Sequence, residues 1–453
     1  MVPFALLCVG AVAVTAAATL QSAQLGCTVA LVLLVVTTYV AQPSAGIVAL
    51  LVTWLVAPGI RRVLGLEAGV ISQDPLSIAP FVATGAVAAL TAWRLRVPRL
   101  VWALAAAVVA GMLFGLPSAS DHVSAGLYSL AAYLSAFSVL LLGWREGALP
   151  VERWTVVRVV SVAAPLLAAY ALYQYFVELP AWDQLWLDSV DFTSIGAPEE
   201  DKIRSFASLN SPGLLGVVLA LAIVLYTGRA GLVRWTSAAL VVTAAALSVT
   251  YVRGAWLALA VAAVVMMLAS GRQAAQRVGR LTLLMTLMLV ALSATGSTYT
   301  AVVERITTFG SLGEDDSAQA RTATPAQVLP KLVTLPLGYG LGSAGEATRL
   351  TSTSGLKAPD NGYLAMAYQL GFAGALLVVG ALLVAMAIAL RRLYATRDPD
   401  RALVLGLFAF FLLSLASGDG FYGLAGVLLW YTIGAALGRT AAPRALPPTR
   451  RGS

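Results

Sequence analysis

Charge is scarce in this chain: Asp, Glu, Lys and Arg make up 11% of its 453 residues, and there is one histidine and there are two cysteines. It also lacks a Gly-x-x-x-x-Gly-Lys-Ser/Thr phosphate loop, and its short basic loops leave no room for a nucleotide-binding domain. An ATP-driven transporter or an enzyme fed by nucleotide sugars is therefore not expected. Cys8 and Cys27 fall in or near apolar stretches, where buried free thiols are the plain reading and a disulfide framework or metal site has no support. His122, beside Asp121 in a short loop after Pro117, reads as a structural or solvent-facing residue rather than a catalytic one. Glu314-Asp315-Asp316 reads as a solvated acidic turn, because three adjacent acids without other spaced ligands do not make a cation site.

What the chain has in abundance is apolar sequence. Hydrophobic residues reach 59% and mean hydropathy is +0.86. Many runs approach the roughly 20 apolar residues that cross a bilayer. Runs this continuous lack the alternation of a membrane barrel, so the spans must satisfy their backbone as helices. The fold class is an all-α polytopic membrane protein, with apolar segments near 3–20, 25–41, 45–60, 77–93, 99–116, 123–142, 156–176, 212–227, 236–251, 254–270, 281–296, 362–390, 402–418 and 421–437. That is about 14 transmembrane helices, 12 at the fewest. The first charge is Arg61, so the opening residues read as retained spans rather than as a cleaved signal peptide with a basic start.

Alternating these segments across the membrane puts 19 of the 29 basic residues on one side, in loops and in the basic tail 438–453. By the positive-inside rule that side is the cytoplasm, which makes both termini cytoplasmic. Of the 21 acidic residues, 17 fall on the other side. The net charge of +8 is thus spread over loops, and no nucleic acid partner is expected. Two outer segments are long: an outer loop over 177–211 and a large extracytoplasmic loop over 297–361, expected to fold as a partly helical cap. In the second, Gly338, Gly340, Gly342 and Gly345 give a backbone suited to close approach.

Cations on the outer side run against the orientation bias and so point to anionic partners. Arg204, Arg253, Arg305 and Arg321 are of this kind, and a guanidinium suits phosphate because its planar donors bind oxygens in pairs. Arg204 leads a segment ending in Asn210-Ser211-Pro212, with Ser211 a helix N-cap and Pro212 the first helical residue; Arg253 occupies a tight turn, Thr250 to Gly254, where the plain alternative is a snorkelling contact with lipid. Arg61 and Arg62 are candidates for contact with lipid phosphates. Asp360-Asn361 opens a helix carrying Gly371 and Gly374, a small-residue face for close helix packing. Asp360 itself is either an N-cap or a carboxylate able to take a proton.

Taken together, these segments resemble the O-antigen ligase and Wzy-type polymerase superfamily of bacterial membrane glycosyltransferases. The likeness runs from about Arg204 to Gly374. It rests on the Arg204 to Pro212 segment, the Thr250 to Gly254 turn, Arg321, the Pro336 to Gly342 glycine run and Asp360-Asn361-x9-Gly371-x-x-Gly374. In the family the last motif begins with histidine, here replaced by Asp360. The resemblance implies a GT-C-like membrane enzyme of the inner membrane, acting at its outer face without metal or other cofactor. It would transfer a glycan from an undecaprenyl-diphosphate-linked donor to a hydroxyl on a lipid, glycan or protein acceptor. It implies that Arg204, Arg253 and Arg321, with Asn361, hold the lipid pyrophosphate, and that Asp360 stands where the family's base stands. Arg253, Arg321 and Asp360 are the expected catalytic residues. A flippase for lipid-linked oligosaccharides is the rival reading, but the chain has neither an obvious internal repeat nor charges within its spans.

Overall fold

A computed structural model of the chain describes residues 23–68, 75–95, 97–189, 195, 203–228, 235–270, 335–350, 355–356 and 361–439, with single positions at 276, 279, 328, 330 and 332. Among the described residues there is helix and connecting loop, with no strand beyond one isolated bridge between Ala344 and Leu356. The helices are α1 (Ala23–Ala41), α2 (Pro43–Ala68), α3 (Ala79–Arg94), α4 (Arg99–Leu113), α5 (Val123–Ser138), α6 (Leu140–Glu146), α7 (Thr155–Phe176), α8 (Ala181–Ser189), α9 (Pro212–Gly228), α10 (Thr236–Val249), α11 (Arg253–Ser270), α12 (Gly362–Ala395), α13 (Arg401–Ala416) and α14 (Gly423–Gly438).

Seven segments among the described residues are long and apolar enough to cross a membrane, and five further apolar helices are shorter. The described residues thus form an all-helical fold with seven candidate membrane spans. The segments expected near 3–20 and 281–296 lie outside the described residues. Large side chains such as Trp93, Leu268 and Phe372 are exposed on helix surfaces, as a hydrocarbon surround requires.

Packing relies on small residues, because lipid tails give apolar helices little reason to prefer each other over the solvent. The tightest case is α6 against α14. A methyl group at Gly143 would fall 2.0 Å from the Tyr431 carbonyl, and one at Gly434 would fall 2.1 Å from that of Leu140. Backbones meet here without intervening side chains.

The bundle has two chemically distinct ends. At one, Arg439 pairs with Asp398 at 2.5 Å and with Asp400 at 2.6 Å, tying the α12–α13 turn to the end of α14. Glu146, buried beside them, accepts from the Thr155 N–H and hydroxyl, both at 2.7 Å, and from the Tyr431 hydroxyl. A cavity of about 390 Å³ opens at this end between Pro98, Trp144, Arg392, Thr396 and Gly438. The other end carries the turns that hold the candidate residues.

Candidate functional site

The site is framed by a buried ion pair that ties two distant segments together. Arg62, in the last two turns of α2, meets Asp183 of α8 at 2.9 Å, and both side chains are 0% exposed. The guanidinium also donates to the carbonyls of Ala207 (2.5 Å) and Leu209 (3.1 Å) and lies over the rings of Phe206 and Trp186. Asp183 in turn accepts from Tyr170 at 2.6 Å and Gln174 at 2.7 Å, and Gln174 receives the N–H groups of Phe206 and Ala207. The expectation that Arg62 contacts lipid phosphate is thereby corrected: its donors are turned inward to hold the 204–211 segment. That segment then feeds α9 as anticipated, with the Ser211 hydroxyl accepting from the Gly213 N–H at 3.1 Å and Pro212 opening the helix.

Arg204 sits at the head of the pinned segment and reaches the next turn. Its Nε donates to the Thr250 carbonyl at 3.0 Å and a terminal nitrogen to the Tyr251 carbonyl at 3.4 Å. These carbonyls end α10, where a cation is favoured by the helix dipole. Tyr251 has a left-handed backbone, φ 54°, which turns the chain sharply into α11. Arg253 starts that helix and is only 6% exposed. Next to it, a methyl at Gly254 would fall 2.4 Å from the Ser417 hydroxyl, so the α10–α11 turn presses on the α13–α14 turn.

The start of α12 presses on the same α13–α14 turn. Asn361 is its N-cap, with the side-chain oxygen accepting from the Leu364 N–H at 3.1 Å. A methyl at Gly362 would meet the carbonyls of Gly418 and Leu415 at 2.9 and 3.2 Å. Within α12, Gly371 has φ 69° and ψ 176°, values that break the helix and that residues with a side chain avoid. The Pro336 to Gly342 run fills the break: Tyr339 and Gly340 donate their N–H groups to the carbonyls of Tyr368 and Gln369 at 2.8 and 3.1 Å. Gly371 thus faces a loop, with the Pro336 carbonyl 2.0 Å from where its methyl would be. Gly374 faces the backbone of Gly111 on α4.

The α13–α14 turn, Ser417 to Tyr422, therefore joins the Arg253 turn to the Asn361 cap, and it carries a group that motif reading passed over. Both carboxylate oxygens of Asp419 are buried and neither has a well-aligned hydrogen bond. Burial, and then the nearby charge of Glu346, push this carboxyl from its ordinary value up to about 7; the Tyr422 hydroxyl and the Phe421 N–H offset part of that rise. The Tyr422 phenol is pushed upward too, by burial first and then by Asp419, Glu346 and Tyr133. Gly345, at φ 72°, lets the backbone approach: its methyl would lie 2.6 Å from the Tyr422 hydroxyl and 3.4 Å from an Asp419 oxygen. Tyr128 donates to Glu346 at 3.4 Å. Tyr133 stacks edge-on against Tyr422 and accepts from Gln369 at 2.9 Å. An acid set among glycines between two spans was the available signal, Ser417-Gly418-Asp419-Gly420.

Of the anticipated residues, Arg204, Arg253 and Asn361 converge on this end of the bundle, linked through the turns just described. Arg321, Asp360, Arg305 and the Glu314 to Asp316 run lie outside the described residues. Residues 238–379 match a family model described as O-antigen ligase. That match, from α10 into α12, bears out the resemblance read from the motifs over this stretch. It supports a membrane glycan-transfer role at the level of the family. Arg204 and Asp419 fall outside the matched residues. No curated protein matches the chain.

Proposed function

We propose that an O-antigen ligase domain set in this helical bundle makes the chain a metal-independent membrane glycosyltransferase. It moves a glycan from an undecaprenyl-diphosphate-type lipid to an acceptor hydroxyl at the outer face of the bacterial cytoplasmic membrane. The observation that carries this reading is the convergence of Arg204, Arg253 and the Asn361 cap on one end of the bundle, with Arg253 almost wholly buried. In this proposal the chain crosses the membrane about fourteen times in a GT-C-like arrangement, with both termini and the basic 438–453 tail in the cytoplasm. The 177–211 and 297–361 loops lie outside, the latter as a cap.

The chemistry follows from charge. The acceptor oxygen attacks C1 of the donor sugar, the bond from C1 to the pyrophosphate oxygen breaks, and its electron pair leaves with the diphosphate. Guanidiniums fixed before the reaction stabilise the charge that builds there, and exclusion of water strengthens the effect. Arg253 and Arg321 are assigned to the diphosphate, with Asn361 at the mouth of the site; Arg204 is assigned to it as well, and also steadies the Arg253 turn through the Thr250 and Tyr251 carbonyls. Asp360 stands where the family places its base. A long polyprenyl chain lying along the bundle would fix the donor's position.

The test is transfer by the full chain in nanodiscs, supplied with lipid-linked glycan extracted from the native membranes. Arg253→Ala, Arg321→Ala and Asp360→Ala are each expected to lose transfer while the helical fold is kept. Unchanged transfer in all three would sink the assignment.

A further inference from the structure

We infer that Asp419, held against Glu346 beneath the Gly345 turn, is the group that takes the proton from the acceptor hydroxyl, an inference that rests on the transfer reaction proposed above. Three observations support it. The carboxylate has both oxygens buried and poorly satisfied, which is costly in a folded protein and calls for a use. It caps no helix: α14 begins after Tyr422, and no side chain caps it. Finally, the turn that bears it touches both the Arg253 turn, through Gly254 and Ser417, and the Asn361 cap, through Gly362 and Gly418.

The surroundings suit a base. An ordinary aspartate, near 3.9, is too weak to accept a hydroxyl proton efficiently, and a general base works best when poised near the working pH. The groups that face Asp419 are Glu346 from the 345–350 turn, Tyr422 and the Phe421 N–H from its own turn, and Tyr133 from α5. Glu346 is the one other carboxyl group among these. It raises the basicity of Asp419 by repulsion and acts as a positioning residue, itself steadied by Tyr128. Gly345 leaves the Tyr422 hydroxyl and an Asp419 oxygen uncovered by any side chain at that position.

The step balances simply. The proton of the acceptor hydroxyl moves to an Asp419 oxygen as the acceptor oxygen bonds to the sugar C1, and the diphosphate departs with the electron pair of the broken bond. The proton then passes to the released diphosphate or to water, which restores the carboxylate.

Two measurements on the full chain in nanodiscs test this. In infrared difference spectra taken from about pH 5 to about pH 9, a protonated carboxyl band is expected to titrate near neutrality and to be missing in Asp419→Asn. No transfer activity is needed for that result, and the absence of such a band overturns the inference. In transfer from lipid-linked glycan, Asp419→Asn is expected to lose about 100-fold or more at every pH, within the usual range for a lost general base. Glu346→Gln is expected to keep the high-pH rate and to move the acid limb of the pH profile to lower pH, which a purely structural role would not do. Near-normal transfer by Asp419→Asn, or an unmoved acid limb in Glu346→Gln, overturns the base alone. A wild type that titrates the band yet transfers no glycan overturns the proposed function and the base with it.

Discussion

The two ends of the bundle treat charge in opposite ways. At the Arg439 end the ionised groups neutralise one another: Asp398 and Asp400 share Arg439, and Glu146 receives three donors from Thr155 and Tyr431. At the other end the frame is equally closed, with Arg62 and Asp183 sealed from solvent, but inside it Asp419 remains buried and poorly satisfied. Both ends hold acidic side chains against helix termini, so acidity alone marks neither. What separates them is whether the local donors suffice. A closed network rigidifies a bundle, whereas an open one is kept at a cost in stability and is a candidate for chemistry.

The comparison can be broken most forcefully at the frame. Asp183→Ala leaves the Arg62 charge buried without its partner and is expected to cost about 3–5 kcal/mol, read as a large fall in Tm or in the denaturant midpoint. A small loss would mean that water reaches Arg62 and that the frame is not closed. Gly371→Ala comes next. It forces a side chain into a left-handed backbone and onto the Pro336 carbonyl, so a loss of roughly 1–3 kcal/mol or more is expected, along with disturbed packing of the 336–342 run. Limited proteolysis of that run would report it.

The open carboxylate gives a pH signature of similar size. The folded protein holds the Asp419 proton up to about 7, against an ordinary value of 3.8. The stability this contributes is therefore full below the ordinary value and is lost as pH rises through the folded one. Asp419→Asn removes that dependence, so the variant should gain on the wild type as pH rises. The gain at alkaline pH is on the order of a few kcal/mol. Thermal melts of both proteins across the range would show parallel curves if Asp419 were instead well satisfied. The closed end answers in a similar range. Arg439 and its two partners are only 4–14% exposed, so Arg439→Gln leaves two mostly buried aspartates short of a cation and is expected to cost about 3 kcal/mol.

How much of this was readable in advance depended on range along the chain. The Ser211 cap and the Pro212 helix start were legible because capping is local and its residues stand side by side. The role of Arg62 is not legible in sequence because its partner Asp183 is distant along the chain, and an arginine after an apolar run looks the same whether it faces lipid or a buried acid. The pair of glycines in α12 was seen, but spacing cannot distinguish a packing face from a break. Gly374 meets a neighbouring helix, whereas Gly371 admits a loop. Asp419 is hard to read for a related reason: in sequence it falls in a gap between apolar segments at 402–418 and 421–437, and only folding brings Glu346, Gly345 and the Arg253 turn around it.

The most direct measurement compares the ends by activity. Arg253→Gln and Arg439→Gln, at equal amounts of folded protein in nanodiscs, would be assayed for transfer from native lipid-linked glycan. Loss of a preorganised donor at the reacting end should lower transfer by about 100-fold or more for Arg253→Gln. Arg439→Gln should stay close to wild type. Equal rates in the two variants, or a loss confined to Arg439→Gln, would contradict placing the reaction at the Arg253 end.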